Sequence, residues 1–538
     1  MKRYINSIMK VGFLSLTLIT TSCMKEVEPK NSTAINEQVA ASADAAEGLV
    51  MAAPAYFSDV WDTSSHCFFG YPAEMIFRDM LTGDLYHVGE TGYSHFISWQ
   101  RNKNMGSNWL KTQFHWNFYY GFLLSANNII GTINPEGATE ALKGFLGTGY
   151  AFRALIYLDL ARMFEFLPND IYDSTNEEGV DVRNLTVPII TNLTTEDEAR
   201  NNPRATRTEM AAFIESDLDK AEEYIVGLAS TSGNTLPDLA CVYGLKARLY
   251  MWTENYPKAQ EYARKAISVS RVAPLSQTQA LSTTSGYNTA KDFMWAGQQT
   301  SETYAVSTGI INWTSWVSNQ TTFGYTGSST SLYSVIDKSM YERISDTDWR
   351  KLEFVAPEGS ALDGKNAFIN AVDAATIPTY GSLKFRPNAG NEEDYSIGAA
   401  TAYPIMRVEE MYFIEAEAAA HQSDAQGQQL INAFMSQYRD PQYNTSKTGD
   451  ELVEEIVFQK RIELWGEGQT FFDIKRLNYS VTRGYPGTNC QDAQSLLNTN
   501  GRPAWMNIVI VRTEENNNSA LVNHNNPDPT DQYTPWTK

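Results

Sequence analysis

Apolar residues recur at helical spacing along most of the chain from Leu110 onward. The spacing predicts a helix over 112–133 and a longer one over 140–166, which is apolar around most of its circumference. A helix that is apolar on nearly all sides is typical of one buried between neighbours. Thr206 begins a capping-box pattern and predicts a third helix, over 206–225. This part of the chain is therefore predicted to be mostly helical.

Residues 239–270 have the pattern of a helix pair. Small and aromatic residues recur three or four positions apart on either side of a turn at 255–257, where Pro257 favours the start of a new helix. These residues are Tyr243, Ala247, Tyr250, Ala259, Tyr262 and Ala266. Alanines let two antiparallel helices approach and tyrosines fill the gaps, which is typical of a tetratricopeptide unit. Residues 153–166 and 408–420 are candidates for degenerate units, and a plain helical hairpin is the alternative.

Helical spacing is lost in two long regions, 50–109 and 271–400. Aromatic residues are scattered through both regions, and Ser, Thr, Gly and Asn dominate the second. Long irregular segments of a folded protein often carry its function, so we expect the two regions to form one binding face on a helical scaffold. We expect one compact unit made of an N-terminal part, 49–270, and a C-terminal part, 271–538, which returns to helix over 401–538.

The first 22 residues have the pattern of a secretory signal peptide. A basic start, 1–10, precedes a short apolar stretch, 11–19, and small polar residues before Cys23. The apolar stretch is far shorter than the ~20 residues that a membrane-spanning helix needs. A cysteine at the cleavage position resembles a bacterial lipoprotein signal, and an ordinary signal peptide with an incidental cysteine is the alternative. Residues 23–48 are polar and lack aromatic side chains, so they are predicted to be a flexible tether.

Charge and cysteine content narrow the classes of function. The 538 residues carry a net charge of −21, which disfavours nucleic-acid binding because phosphates require clustered Lys and Arg. The same acidity disfavours direct attachment to an anionic membrane surface, so a membrane link is expected to run through lipid on Cys23. The cysteines at 23, 67, 241 and 490 show neither a disulfide framework nor the spacing of a cysteine-based metal site.

Three segments carry a family resemblance. Residues 407–418 read RVEEMYFIEAEA, residues 459–476 read QKRIELWGEGQTFFDIKR, and residues 153–164 read RALIYLDLARMF. Each resembles a helix motif of the SusD/RagB family, although Gln459 and Thr470 depart from the residues that are usual there. Together with the lipoprotein-like start, the resemblance covers nearly the whole chain.

Charged residues in the second of these motifs alternate in sign among apolar neighbours. They are Arg461, Glu463, Glu467, Asp473 and Arg476. Charges beside Ile456, Val457 and Leu464 would be partly buried and would need partners. An ion-pair network that locks helices together is therefore favoured over a catalytic role.

The resemblance implies a fold and a function. SusD-like proteins are lipoproteins of the outer membrane that bind nutrients at the cell surface, usually oligosaccharides, and pass them to a SusC-like TonB-dependent barrel. Their fold is a mostly helical, right-handed superhelix of tetratricopeptide-like units with an irregular, loop-rich part that binds the ligand. They catalyse no reaction, and for this chain we expect no cofactor and assign no metal ligands. We expect the same role here, with an anchor at Cys23 and without a nucleic-acid partner.

Aromatic residues in the irregular regions are the candidate ligand contacts. A sugar ring has an apolar C–H face that a Trp or Tyr ring can cover, while its hydroxyl groups need polar partners. The candidates are Trp61, Trp99, Arg101, Asn312, Trp313, Trp316 and Tyr325. Burial in the core is the alternative for each tryptophan. Trp109, Trp116 and Trp252 fall in predicted helices and are expected to be core residues. Few Lys or Arg accompany the loop aromatics, so a neutral or weakly charged ligand is expected.

Two other classes of function stay open. A secreted glycan-degrading enzyme would need two carboxylates ~5–9.5 Å apart, and 63 acidic residues make chance pairs inevitable. The sequence lacks a nucleophile elbow, a phosphate-binding loop and an HExxH motif. A peptide-binding helical-repeat adaptor is the third class. Aromatic loops outside the helices favour a small ligand over a peptide.

Overall fold

The first helix among the described residues overlaps the segment predicted to be a tether. The computed structural model describes residues 43–61, 65–89, 95–168, 171–492 and 496–538. Cys23, the predicted signal peptide and tether residues up to 42 lie outside the described residues. Residues 43–48 belong to the helix Ala43–Tyr56, in which Ala46 is buried. The tether prediction is therefore wrong for these residues.

Helices make up most of the regular structure, which confirms the predicted fold class. They are α1 (Ala43–Tyr56), α2 (Tyr71–Met80), α3 (His95–Gln100), α4 (Leu110–Thr132), α5 (Glu140–Phe164), α6 (Glu196–Ala199), α7 (Arg207–Tyr224), α8 (Leu239–Trp252), α9 (Tyr256–Val269), α10 (Gln277–Ala280), α11 (Tyr304–Ser307), α12 (Trp313–Val317), α13 (Lys338–Arg343), α14 (Ala371–Thr376), α15 (Tyr395–Gly398), α16 (Val408–Ala420), α17 (Asp424–Tyr438), α18 (Gly449–Glu463), α19 (Thr470–Leu477) and α20 (Arg512–Asn517). The three helices predicted first correspond to α4, α5 and α7. Within the described ranges, no helix is long and apolar enough to cross a membrane.

Two local features explain where α7 begins and how closely the chain after it packs against α5. Thr206 accepts a hydrogen bond from the backbone N–H of Glu209 at 3.3 Å, and the Glu209 carboxylate accepts one from the N–H of Thr206 at 2.8 Å. This is the predicted capping box. In α5, a Cβ atom on Gly144 would lie 2.3 Å from the backbone N of Leu228. Because residue 144 is glycine, the backbone after α7 can pack directly against the backbone of α5.

Helices α8 and α9 form the predicted antiparallel pair. Lys258, early in α9, donates a hydrogen bond to Tyr250, late in α8, at 3.2 Å, and the Tyr243 and Tyr262 rings lie 5.8 Å apart. The stack continues from α9 to α16, because Tyr256 stacks on His421 at 3.8 Å. Helices α16, α17 and α18 extend it further. Adjacent helix pairs of this kind agree with the tetratricopeptide-like interpretation.

Short antiparallel strands join distant parts of the chain. The strands are β1 (Leu85–Val88), β2 (Trp295–Gln298), β3 (Tyr333–Ile336), β4 (Ala402–Met406), β5 (Leu497–Asn498) and β6 (Thr534–Pro535). They pair as β1 with β3, β2 with β4, and β5 with β6. Since β1 comes from the first irregular region and β3 from the second, their pairing brings the two regions together, as predicted from sequence.

The charged residues of the 459–476 motif form a buried ion-pair network. Glu463 accepts hydrogen bonds from Arg439 at 2.7 Å, from Arg407 at 2.6 Å and from Arg350 at 3.2 Å. Burial acts to raise the pKa of Glu463, but the three guanidinium groups hold it well below its usual value. Glu467 accepts from Lys384 at 2.7 Å. The prediction of a network that locks helices together is confirmed.

Candidate ligand-binding site

The seven candidate ligand residues divide by exposure into two groups. The buried group comprises Trp99, Asn312, Trp313 and Trp316, each at most 3% exposed. The accessible group comprises Trp61, which is 37% exposed, and the half-buried Arg101 and Tyr325. Protein atoms cover the buried side chains, so the prediction of direct ligand contact is corrected for those four residues. The alternative that a loop tryptophan lies in the core holds for all three tryptophans of the buried group.

Asn312 and Trp313 have structural partners that explain their burial. Asn312 is the N-cap of α12: its side-chain oxygen accepts from the Ser315 N–H at 3.0 Å, and its amide donates to the Gly309 carbonyl at 3.1 Å. The Trp313 ring lies 5.3 Å from the Phe385 ring and packs against a second ring, that of Tyr403. Both residues therefore stabilise the second irregular region.

Trp316 stacks against the accessible side chain of Tyr325. Its ring stacks on the Tyr325 ring at a centroid distance of 4.1 Å and an interplanar angle of 13°. Its indole N–H donates to the His66 carbonyl at 3.1 Å, and a hydrogen bond joins the His66 ring to the Tyr325 hydroxyl. These contacts fix the orientation of Tyr325. Trp316 is thus a positioning residue for the site.

A second group of exposed apolar side chains lies near the start of α4. The Trp61 ring lies 6.2 Å from the Phe114 ring. Leu110 precedes Phe114 by one turn of α4, and residues at this spacing share a helix face. Leu110 is 43% exposed and its neighbour Trp109 is 47% exposed. The expectation that Trp109 is a core residue is wrong, because Trp109 precedes the first helical turn in an extended conformation.

A continuous series of ring contacts connects Phe114, which lies beside Trp61, to Tyr325. Successive ring centroids are 4.7 Å apart from Phe114 to Phe68, 6.0 Å to Trp99, 5.1 Å to Phe96, 4.6 Å to Trp316 and 4.1 Å to Tyr325. We call the accessible rings Trp61, Trp109 and Tyr325 the aromatic face; Trp61 and Tyr325 contact this ring layer, and Trp109 is the residue before Leu110 at the start of α4. Trp109 was not among the predicted ligand contacts, although the turn-forming Gly106-Ser107-Asn108 before it indicates a helix start near that position.

Titratable groups within the ring layer are buried. His87 lies beside Trp316, with its Nε2 3.2 Å from the Trp316 carbonyl oxygen, and burial lowers the pKa of His87 to about 4. The Lys111 amine lies 4.7 Å from the Trp99 ring centroid, and burial lowers its pKa well below the usual value. Burial therefore disfavours the charged form of both groups. This environment is compatible with an uncharged ligand.

Arg101 supplies a polar group beside the ring layer. It follows Trp99 by two residues, and the turn that carries it is fixed by Asn102, whose side-chain amide donates to the Pro529 carbonyl at 2.9 Å. Among the described residues, the Arg101 Nε has no hydrogen-bond partner. Since this nitrogen is itself buried, only the outer guanidinium N–H groups of the half-buried Arg101 side chain are available to donate to a ligand hydroxyl. As for metals, the described part of the chain contains no group of three or more His, Cys, Asp or Glu side chains placed to hold an ion.

Family sequence profiles match the chain over two adjoining ranges. A profile of the SusD family matches residues 252–518, and one described as starch-binding associating with outer membrane matches residues 27–251. No curated protein is similar enough in sequence to count as a relative.

Solved structures share the fold. A SusD-like carbohydrate binding protein from Bacteroides vulgatus ATCC 8482 superposes with a TM-score of 0.69 at 20% identity, covering 90% of this chain and 98% of its own. A SusD superfamily protein from Bacteroides thetaiotaomicron VPI-5482 gives 0.67 at 18% identity, with coverages of 89% and 98%. A laminarin binding SusD-like protein gives 0.58 at 16% identity, with coverages of 88% and 97%. With both profiles and the fold in agreement, the chain belongs to the SusD family.

Proposed function

We propose that this protein binds a neutral glycan on the aromatic face and delivers it to a SusC-like TonB-dependent barrel in the outer membrane. In this proposal it is not an enzyme, and a lipid on Cys23 holds it at the cell surface. Family membership supports a carbohydrate-binding role in association with the outer membrane. The delivery step and the anchor rest on the family resemblance and on the lipoprotein-like start of the sequence.

The observation that carries the proposal is that Trp61 and Tyr325 are accessible and contact one layer of buried rings. Trp61 and Trp109 expose more than a third of their surface, although water disfavours large exposed aromatic side chains. Stacking on Trp316 holds Tyr325 in one orientation, so little conformational entropy is lost when a sugar covers its ring. The nearby Arg101 adds a polar group of the kind that sugar hydroxyl groups require.

Affinity measurements with defined glycans test the aromatic face. Laminarin and soluble starch are suitable probes, because a structural neighbour and a matching family profile carry those names. For the probe that binds, we expect Trp61→Ala, Trp109→Ala and Tyr325→Ala each to weaken binding about tenfold, which corresponds to ~1.4 kcal/mol. Isothermal titration calorimetry or affinity electrophoresis would measure the change. Tyr262→Ala, in the α8–α9 pair, is the matched control and should bind like the native protein.

Two results would contradict this assignment. If all three variants fold and retain native affinity, the aromatic face is not the binding site. If neither probe nor any member of a wider glycan panel binds, the carbohydrate proposal itself fails and the peptide-binding adaptor becomes the better hypothesis. Product analysis after long incubation with the bound glycan separates a binding protein from a glycan-degrading enzyme, because only an enzyme would release shorter sugars.

A further inference from the structure

A groove of about 760 Å³ lies beside the second half of α4. Its walls are that half of α4, Leu49 of α1 and the segment 190–194 between α5 and α6. The volume lies within the ~300–1,000 Å³ that small-molecule sites in proteins occupy. Its described lining residues include none of the three rings of the aromatic face. The groove is therefore a separate candidate site.

One face of α4 supplies most of the groove. Tyr120, Leu124 and Asn128 are four residues apart, so their side chains lie along the same face of the helix. Leu124 is 61% exposed, and Asn128 is exposed as well. Gly131, in the next turn, is also exposed and has no side chain to fill the space. An exposed leucine and asparagine in the middle of a mostly apolar helix do not contribute to the core.

Hydrogen bonds fix the opposite wall. The Tyr157 hydroxyl accepts from the Ile190 N–H at 2.6 Å and donates to the Ile190 carbonyl at 2.8 Å. The Thr191 N–H donates to the Thr194 hydroxyl at 2.9 Å, and the Thr194 N–H donates to the Thr191 carbonyl at 3.2 Å. Because this turn is closed before any ligand binds, little conformational entropy is lost on binding.

The lining of the groove is uncharged. Half of its described residues are Asn or Thr, and none is Asp, Glu, Lys or Arg. The buried Arg153 donates through Nη1 to the side-chain oxygens of Asn127 at 2.9 Å and Asn192 at 3.3 Å. Its Nε and Nη2 donate to the Asp217 carboxylate, which balances its charge. An uncharged lining in a chain of net charge −21 favours a neutral ligand.

Polar side chains in the groove have unused hydrogen-bonding groups. No described residue forms a hydrogen bond with the side chains of Asn128 and Thr132, and the Asn192 amide N–H groups have no acceptor there. Carboxamides and hydroxyl groups each offer both a donor and an acceptor, as sugar hydroxyl groups do. The groove therefore has the polar groups that a sugar needs.

Tyr120 supplies an apolar surface beside these groups. Its ring stacks on the Trp116 ring at a centroid distance of 4.5 Å and an interplanar angle of 28°. Its hydroxyl donates to the Pro188 carbonyl at 2.8 Å, so the ring is held in one orientation. Together with Leu124, it can cover the apolar C–H face of a sugar ring.

A peptide fits this groove less well than a glycan. Extended peptides add to an exposed strand edge, helical peptides bind in a mainly apolar groove, and proline-rich peptides bind between several aromatic rings. Here the walls are helices and a closed turn, and half of the described lining is Asn or Thr. Tyr120 is the one aromatic residue in that described lining. None of the three peptide-binding modes has its usual surface in this groove.

We propose that this groove is a second binding site for a neutral glycan, with Tyr120 and Leu124 against a sugar ring and Asn128 and Asn192 as hydrogen-bonding partners. The inference rests on the proposed glycan-binding role, but not on the aromatic face as its location. Helix α4 connects the two sites, since Trp109 precedes its first residue and Asn128 lies about 27 Å further along its axis. A polymer that reaches both sites binds more tightly than a short fragment, because binding at one raises its effective concentration at the other.

Gly131→Gln tests the groove by placing a side chain inside it. Glutamine forms helices more readily than glycine, so α4 should remain folded. Equilibrium dialysis of the full-length mature protein against laminaritriose and maltotriose counts the bound molecules at saturation. For the trisaccharide that binds, we expect two per native protein and one per Gly131→Gln variant. Gly48→Gln, at an exposed glycine of α1 with no atom within 4 Å of an added Cβ, is the matched control and should bind two.

A variant without the aromatic face separates the two sites. Trp61→Ala combined with Tyr325→Ala should keep one bound trisaccharide, and adding Gly131→Gln should remove it. Loss of all binding in the Trp61/Tyr325 variant, or two bound molecules in Gly131→Gln, would overturn the groove and leave the aromatic face as the site. Loss of all binding in Gly131→Gln alone would support the groove and overturn the aromatic face. If no glycan binds the native protein, both proposals fail.

A crystal structure with the bound trisaccharide locates the ligand directly. Sugar density between Leu124 and Asn192 supports the second site. Sugar density at the aromatic face alone, with only water in the groove, overturns it while the proposed function stands.

Discussion

Aromatic residues of the irregular regions have two separate roles at the scale of single residues. Trp61, Trp109 and Tyr325 are accessible, whereas Trp99 and Trp316 form the layer beneath them. The division matters because truncation of an accessible ring should remove ligand contacts, while truncation of a buried ring leaves a cavity and costs ~3–5 kcal/mol of stability. Binding data on the buried tryptophans therefore need a stability measurement beside them.

Asp79 gives a prediction about pH. Its carboxylate is 2% exposed and accepts from the Gly468 N–H at 2.8 Å. Burial raises the pKa of Asp79 to about 8; the Gly468 N–H opposes the shift and Asp84 adds to it. The folded protein therefore retains a proton that the unfolded chain releases near pH 4, so stability falls as pH rises from about 4 to 8.

We expect Asp79→Asn to flatten this pH dependence. The variant keeps an acceptor for Gly468 but carries no charge, so at pH 8 it should be more stable than the native protein by on the order of 2 kcal/mol. Chemical denaturation between pH 5 and 8 measures the slope. Asp197→Asn, at an exposed position in α6, is the control and should leave the slope unchanged. If the stability of Asp79→Asn depends on pH as strongly as that of the native protein, Asp79 is not the responsible group.

At the scale of elements, close backbone contacts fix how the helices cross. Gly144 and Gly147 in α5 lie against the backbone of residues 225–228, where added Cβ atoms would come within 2.3 and 2.5 Å of backbone nitrogens. Gly468 in the motif turn has a φ of +71° and lies against Met75 of α2. These glycines are required by packing, since backbone atoms cannot move aside as flexible side chains can.

The same substitution at two helical glycines should have opposite effects. Gly144→Ala forces backbone atoms apart and is expected to destabilise the protein by ~1–3 kcal/mol. Gly48→Ala, in α1, has no atom within 4 Å of its new Cβ and should gain about 0.5–1 kcal/mol from helix propensity. Denaturant midpoints measured side by side give both values. Similar changes for the two variants would rule out the close crossing at Gly144.

At the scale of the whole molecule, contacts between distant segments join the ranges matched by the two family profiles. Strand β1 pairs with β3, and the Trp465 indole donates to the Asp84 carbonyl at 2.8 Å. Arg461 forms an ion pair with the carboxylate of the same Asp84. The aromatic face depends on this junction, because Trp61 and Tyr325 come from opposite sides of it.

The proposed anchor gives a prediction for the whole protein in its cell. Cys23→Ala should block lipid attachment, so the protein should leave the membrane fraction and glycan uptake should fall. Glycan affinity of the purified variant should be unchanged, since the aromatic face is built from residues 61–325. Fractionation and palmitate labelling measure the first effect, and calorimetry measures the second. Cys490→Ala is the control and should stay labelled; a labelled, membrane-bound Cys23→Ala would contradict the anchor.

Local patterns in the sequence determined the helical scaffold, the capping box at Thr206 and the charge alternation of the 459–476 motif. These features depend on residues a few positions apart, so they can be predicted without knowing the tertiary structure. The burial of charges among apolar neighbours likewise required an ion-pair network, although not its individual partners, such as Arg350 and Arg407 for Glu463.

Only the tertiary structure decided which aromatic side chains are accessible. Trp313 is buried by Phe385 and Tyr403, which lie 72 and 90 positions away, and Trp316 is covered by Phe96 and Tyr325. Nothing near these tryptophans in the sequence distinguishes them from Trp61. The exposure of a loop side chain depends on segments brought together by the whole fold. For that reason the sequence determined the class of site, and tertiary packing decided which residues form it.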